Sequence, residues 1–158
     1  MKRLSSISLL LVIGVLVSAA PARPRPEIMG ISLDMKHDEA LVRLKSIGSL
    51  EREARKRQEV WAVKDARISH LLVGYDADNR VRYVTAIARA DGPRIRYQEV
   101  ADLKSARRND TSGQHKFTWE IEGHRGRSAF IMIARGRDAQ YLDSYSVKKN
   151  DQEEEEID

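Results

Sequence analysis

Four histidines, His37, His70, His115 and His124, carry most of the chemistry this chain offers. Metal binding or acid–base catalysis needs such rings to converge with carboxylates or hydroxyls. His37, Asp38 and Glu39 are consecutive. Consecutive helical residues point in different directions, so this run does not close on one ion. His70, His115 and His124 fall on a strand, a loop and a turn, and nothing in their spacing fixes a shared geometry. Ser69 and His70 adjoin on a strand and face opposite sides of it, which argues against a serine–histidine pair. Glu120 and Glu122 share a strand face, where paired carboxylates can do acid–base work. On an exposed strand they serve better as partners for Arg or Lys. Asp76, Asp78 and Asn79 resemble the opening of a calcium loop, but the later glycine and the distant bidentate glutamate are missing. The segment therefore reads as a turn. Trp61 and Trp119 with five tyrosines offer rings for stacking on single-stranded nucleic acid. On strands such rings pack the sheet instead. The chain has no glycine-rich phosphate loop, no His-Glu-x-x-His pair and no Gly-x-Ser-x-Gly elbow. No cofactor, metal or specific nucleic-acid partner is expected.

The elements that would position these residues follow from periodicity. Asp34 to Ile47 predicts a helix, with Met35, Leu41, Leu44 and Ile47 on one face, early acids, and Gly48 as its stop. Ser49 to Lys56 has few apolar residues and reads as a solvated second helix, capped by Ser49 and supported by Glu51–Arg55 and Glu53–Arg57 pairs, or as an ordered approach to a strand. Val60 to Val63 is a short apolar strand. Ile68 to Arg89 predicts a hairpin around Asp76–Asn79. Apolar residues on both of its faces place it centrally in a sheet. Arg94 to Arg108 is partly helical, and Asn109 to Gln114 is a polar loop. Three strands follow: Lys116–Glu122, the nearly continuous apolar Arg127–Arg135, and the more polar Gln140–Lys148, expected at an edge. The fold class expected is α+β: an N-terminal helix or helix pair packed on a mainly antiparallel sheet of about five to six strands.

Residues 1–22 carry Lys2 and Arg3, an apolar run from Ile7 to Val17, and small residues up to Ala22. That is the three-part pattern of a signal peptide, and its apolar run is short of the ~20 residues that span a bilayer. Residues 23–27 are an extended linker, 28–150 a single α+β domain, and 151–158 an acidic, disordered tail. The mature chain is expected to be exported, periplasmic or secreted, with no transmembrane segment. The leader removes two cations and the tail six acids, so residues 23–150 hold 26 basic and 18 acidic residues. Such a body attracts anionic polymers or membrane surfaces. The chain has no cysteine, which excludes disulfides, thiolate metal sites and cysteine nucleophiles.

The run ISLDMKHDEALVRL (Ile31 to Leu44), followed by an apolar strand and the hairpin, resembles small envelope proteins of the SmpA/OmlA outer-membrane assembly lipoprotein type and β-lactamase-inhibitor-protein-like folds. Met35 and Glu39 match the helix opening of that pattern. Asp34 and Lys36 depart from its glycine and threonine, and the lipobox cysteine is absent. The likeness covers residues 31–89. It implies a helix pair against an antiparallel sheet and a binding or assembly role, and no functional residue is carried over. The expected function is that of an exported non-catalytic domain binding a protein or a cell-envelope component. The alternatives are a small secreted hydrolase and a basic module binding anionic polymer. The expected binding face is the side of the sheet away from the helices, with His70, Arg82 and Glu120.

Overall fold

In the computed structural model, residues 22–54, 57–123 and 129–150 are described. The leader, the acidic tail and the turn at His124 lie outside them, apart from Ala22. Short β1 (Glu27–Ile28) and β2 (Ile31–Ser32) pair with each other ahead of helix α1 (His37–Ile47). Four strands follow: β3 (Gly48–Ala54), β4 (Gln58–Val63), β5 (Ile68–Tyr75) and β6 (Val81–Ala88). Two-residue β7 (Ile95–Arg96) leads into a single helical turn, α2 (Tyr97–Val100), and a 3-10 turn (Leu103–Ser105). The chain ends in β8 (Arg107–Thr111), β9 (Gln114–Ile121), β10 (Phe130–Gly136), β11 (Tyr141–Leu142, paired with β7) and β12 (Ser144–Lys149).

Eight of these strands form one antiparallel sheet in the order β3-β4-β5-β6-β12-β10-β9-β8. The sheet is two four-stranded meanders joined along their last strands, β6 and β12. Each meander is preceded by its own helical segment. The two tryptophans take equivalent places, Trp61 on the second strand of the first meander and Trp119 on the second strand of the other. A pseudo-twofold relation therefore runs between β6 and β12.

The expected helix pair on five to six strands is overturned: the described chain is mostly β, with one helix longer than a single turn. Gly48–Ala54 is the edge strand β3 and not a second helix, because pairing with β4 satisfies its backbone along its length. Its i,i+4 charge pairs are each worth only a few tenths of a kcal/mol and do not outweigh that. Asn109–Gln114, expected as a loop, supplies most of edge strand β8. Its exposed, polar and charged side chains suit an edge that must not recruit another strand. The last strand, expected at an edge, lies in the middle between β6 and β10. Its polarity has a simple cause. Among the described residues only one side of the sheet is covered, and Tyr145 and Val147 turn to the core while Ser144, Ser146 and Lys148 turn away.

The hairpin spans β5 and β6 and sits centrally, as its two-faced apolar pattern predicts. Two bulges change its faces. One, beside Ser69, keeps both Ile68 and Leu71 in the core. The other, at Arg82, brings Val81 to the same side as Val84 and Ala86. The helix begins at His37, three residues later than expected. Residues 34–37 instead bond the hairpin: Asp34 N–H donates to Val81 O, Val81 N–H to Met35 O, and His37 N–H to Asn79 O. Ala40 and Leu44 bury the helix against the sheet, and Gly48 ends it. Gly48 is required by space: a Cβ there would lie 2.2 Å from Ala62 O.

The core lies on one side of the sheet. Helix α1, β1 and β2 cover the first meander with Ile28, Ile31, Ala40 and Leu44. The 95–106 segment covers the second through Ile95, Tyr97 and Ala101. Tyr97 packs on Phe117 with centroids 4.5 Å apart, and the Trp119 indole N–H donates to Asp102 O at 2.8 Å.

Candidate functional site

The opposite side of the sheet has no covering element among the described residues. Strand registers resolve it into three rows running across the strands. The first is Ala62, His70, Ile87, Ser144, Arg135, Lys116 and Asn109. The second is Val60, Leu72, Thr85, Ser146, Ile133, Thr118 and Arg107. The third is Gln58, Gly74, Tyr83, Lys148, Ile131 and Glu120. Leu72, Tyr83, Ile87, Ile131 and Ile133 are half-buried by their neighbours yet belong to no part of the core. Tyr83 lies over Gly74, where a Cβ would meet its ring at 2.1 Å. Across the join between the meanders Ile87 opposes Ser144, Thr85 opposes Ser146 and Tyr83 opposes Lys148, so hydroxyls and an ammonium sit among the apolar side chains there.

This face is framed by charge. His70 Nε2 meets Glu51 at 3.1 Å, and Arg107 meets Glu120 at 2.7 Å. Lys116, Arg135 and Lys148 have no ion-pair partner among the described residues. His70 and Glu120 share the face but not a site. They are four strand spacings apart, roughly 19 Å, and lie in different rows. Arg82 is the exposed extra residue of the β6 bulge, beside Tyr83. Each of the three therefore belongs to the rim of the surface, at separate points.

A second constellation, on the core side, escaped the sequence reading. Glu59 lies on β4 in the same inward row as Val73, and its carboxylate takes three donors. Trp61 Nε1 donates to Oε2 at 2.9 Å and the Tyr75 hydroxyl to the same oxygen at 3.0 Å. His37 Nε2 lies 3.0 Å from Oε1. Burial and the Glu59 charge push the Tyr75 phenol well above its ordinary range. His37 stacks edge-on against Tyr75 at 4.8 Å. The available signal was alternation: Glu59, Trp61 and Val63 form one face of a strand that reads as a plain apolar run. The site holds a carboxylate fully occupied by protein donors, which suits anchoring of the helix start more than turnover.

The hydrogen bond to Glu59 raises His37 above its ordinary value; burial opposes this, and the charges of Glu59 and Asp38 reinforce it. The folded state therefore binds this proton more tightly than the unfolded chain. Its contribution is full below the unfolded value near 6.5 and is lost as pH rises through the raised folded value. His37→Gln is expected to lose more stability at acid than at alkaline pH, relative to wild type. Urea unfolding across that window checks it, and a difference independent of pH would remove His37 as the source.

The calcium-like turn is spent internally. Asp76 accepts from the backbone of Asp78 and Arg80, and Lys149 bridges Asp76 at 3.0 Å and Asp34 at 2.5 Å. The Asp76 carboxylate is thus already paired with an ammonium. Among the described residues no group of three or more His, Asp or Glu is arranged to hold a metal ion, and no helix is long and apolar enough to cross a membrane. Comparison with protein-family models, curated proteins and solved structures gives no match.

Proposed function

We infer that the protein is an exported, non-catalytic binding module and that the uncovered sheet face docks a protein partner. The observation that carries this is the ordered row of Leu72, Thr85, Ser146 and Ile133, with Tyr83, Ile87 and Ile131 around it, outside the core and under no element of the described chain. Half-exposed apolar side chains interleaved with hydroxyls and cations have the mixed character of a non-obligate protein interface. Eight strands about 4.8 Å apart and roughly 20 Å of strand length give on the order of 700 Å², near the ~800 Å² per partner of a standard interface. The cations without ion-pair partners among the described residues, Lys116 and Arg135 in the first row and Lys148 between Tyr83 and Ile131 in the third, oppose a second copy of the same face. They favour a partner whose apolar patch is edged with carboxylates. Export rests on the leader pattern of residues 1–22.

The test is capture from the exporting compartment with three baits. Wild type is expected to retain a partner. Ile133→Glu, in the middle row, is expected to lose at least about tenfold of that retention with a melting temperature near wild type. Val42→Glu, on the exposed side of α1, is expected to retain it. Equal retention by the Ile133 variant would end this reading. Retention that collapses at modest salt for all baits would instead support the basic, polymer-binding module. A hydrolytic activity lost on His70→Ala would support the hydrolase.

A further inference from the structure

Residues 151–158 follow directly on the central strand β12, and six of the eight are Asp or Glu. The sheet holds the chain as far as Asn150, whose N–H donates to Ala129 O. Lys148 and Lys149, the last two residues of β12, point to opposite sides at this exit. On the core side Lys149 already lies between the Asp34 and Asp76 carboxylates. On the open side Lys148 is exposed between Tyr83 and Ile131, with no ion-pair partner among the described residues. A run of carboxylates leaving Asn150 is therefore repelled by one side of the sheet and attracted to the other.

The open side makes a further demand for anions. Lys116 and Arg135 stand directly opposite each other on β9 and β10, half-buried, and neither has a carboxylate partner among the described residues. Like charges facing each other across a ladder destabilise it. An anion between them turns the repulsion into attraction. This pair lies four residues along the strands from Lys148, roughly 13 Å, and one or two strand spacings of ~4.8 Å across. Eight extended residues span about 26 Å, so the acidic segment reaches it. The acids beside this path are Glu120, held by Arg107, and exposed Glu122 just past the end of β9. Both turn the segment at its exit from β9 toward β12 and β10.

We propose that the acidic residues 151–158 fold back over the uncovered face, from Lys148 to the Lys116–Arg135 pair, and compete there with the protein partner. This competition rests on the docking role of that face, because the carboxylates that suit the face in a partner are the groups the tail already carries. Single exposed ion pairs hold little. A tethered run of carboxylates, however, meets the three cations at an effective concentration on the order of millimolar. The contact is thus reversible, and a partner that also covers Ile131 and Ile133 displaces it.

The chain has no cysteine, so Ile157→Cys takes a single nitroxide label. In the full chain the label is expected to broaden the amide signals of Ile131, Ile133 and Arg135 and to spare those of His37 to Leu41, on the other side of the sheet. The broadening is expected to vanish at about 1 M salt, where the screening length falls to about 3 Å, and to weaken when Lys116→Gln and Arg135→Gln are combined. Broadening of α1 instead of β10, no broadening on β10, or broadening that arises only between labelled and unlabelled molecules would each overturn the proposal. Replacing the six acids by Asn and Gln is expected to raise partner retention in the capture assay about threefold, the gain when the tail holds the face roughly two-thirds of the time. Unchanged retention would overturn the competition. Failure of the docking role itself looks different: Ile133→Glu then retains the partner like wild type, while the label in the otherwise wild-type chain still reports the tail on β10.

Discussion

Glu59→Ala is expected to destabilise the fold by about 3–5 kcal/mol, read from urea unfolding at neutral pH. The estimate follows from what the substitution leaves behind. Trp61 and Tyr75 are 2% and 8% exposed, and each would keep a polar hydrogen with no acceptor. Each such orphan costs about 1–3 kcal/mol. His37 would lose its link from the helix start to the sheet as well. Glu59→Gln keeps one acceptor oxygen in the same shape and is expected to cost about 1–2 kcal/mol. A loss below about 1 kcal/mol for the alanine variant would mean that water satisfies both donors and that the cluster is not an anchor.

Trp119→Ala carries the second large effect. Trp119 is 1% exposed, stacks at 6.3 Å on Phe117, and gives its indole hydrogen to the Asp102 carbonyl. Large-to-small changes of this kind cost about 3–5 kcal/mol. Here the loss also cuts the tie between the second meander and the segment that covers it. Hydrogen exchange is therefore expected to speed up most in residues 97–106, ahead of the first meander. Uniform acceleration across both halves would show that the segment is not held through this bond. The two tryptophans do equivalent work by different means. Trp61 is fastened to a carboxylate on its own strand, and Trp119 to a backbone carbonyl of its covering turn.

The parts of the fold legible in the sequence are those where one signal dominates. The hairpin from Ile68 to Ala88 has β-branched arms and a turn of Asp, Ala, Asp and Asn. The turn works through Asp76 Oδ1, which accepts from Asp78 and Arg80, and through Asn79 in the left-handed region at φ 55°. The helix from His37 to Ile47 has apolar spacing and ordered end charges. Three other elements depart from expectation for one reason: their polarity points to helix, loop or edge. β3, β8 and β12 are polar because a one-sided sheet asks half of each strand, or all of an edge, to meet solvent. The bulges at Ser69 and Arg82 shift faces by one residue, which strict alternation cannot anticipate. Among the candidate binding residues, the registers set His70 and Glu120 in different rows, four strand spacings apart, a separation that alternation along single strands does not reveal. Glu59 does not stand out in the sequence because its neighbours Val60 to Val63 read as one apolar block.

The join between β6 and β12 has a kinetic meaning. Within each meander every sheet partner is a near neighbour along the chain, so closing those loops costs little entropy. Within the large sheet only the β6–β12 pairing spans distant sequence. The folding barrier should therefore concentrate there. Two locally assembled halves have to find each other before the central strands exist as a ladder, and the speed of the whole chain is set at the line where its halves meet.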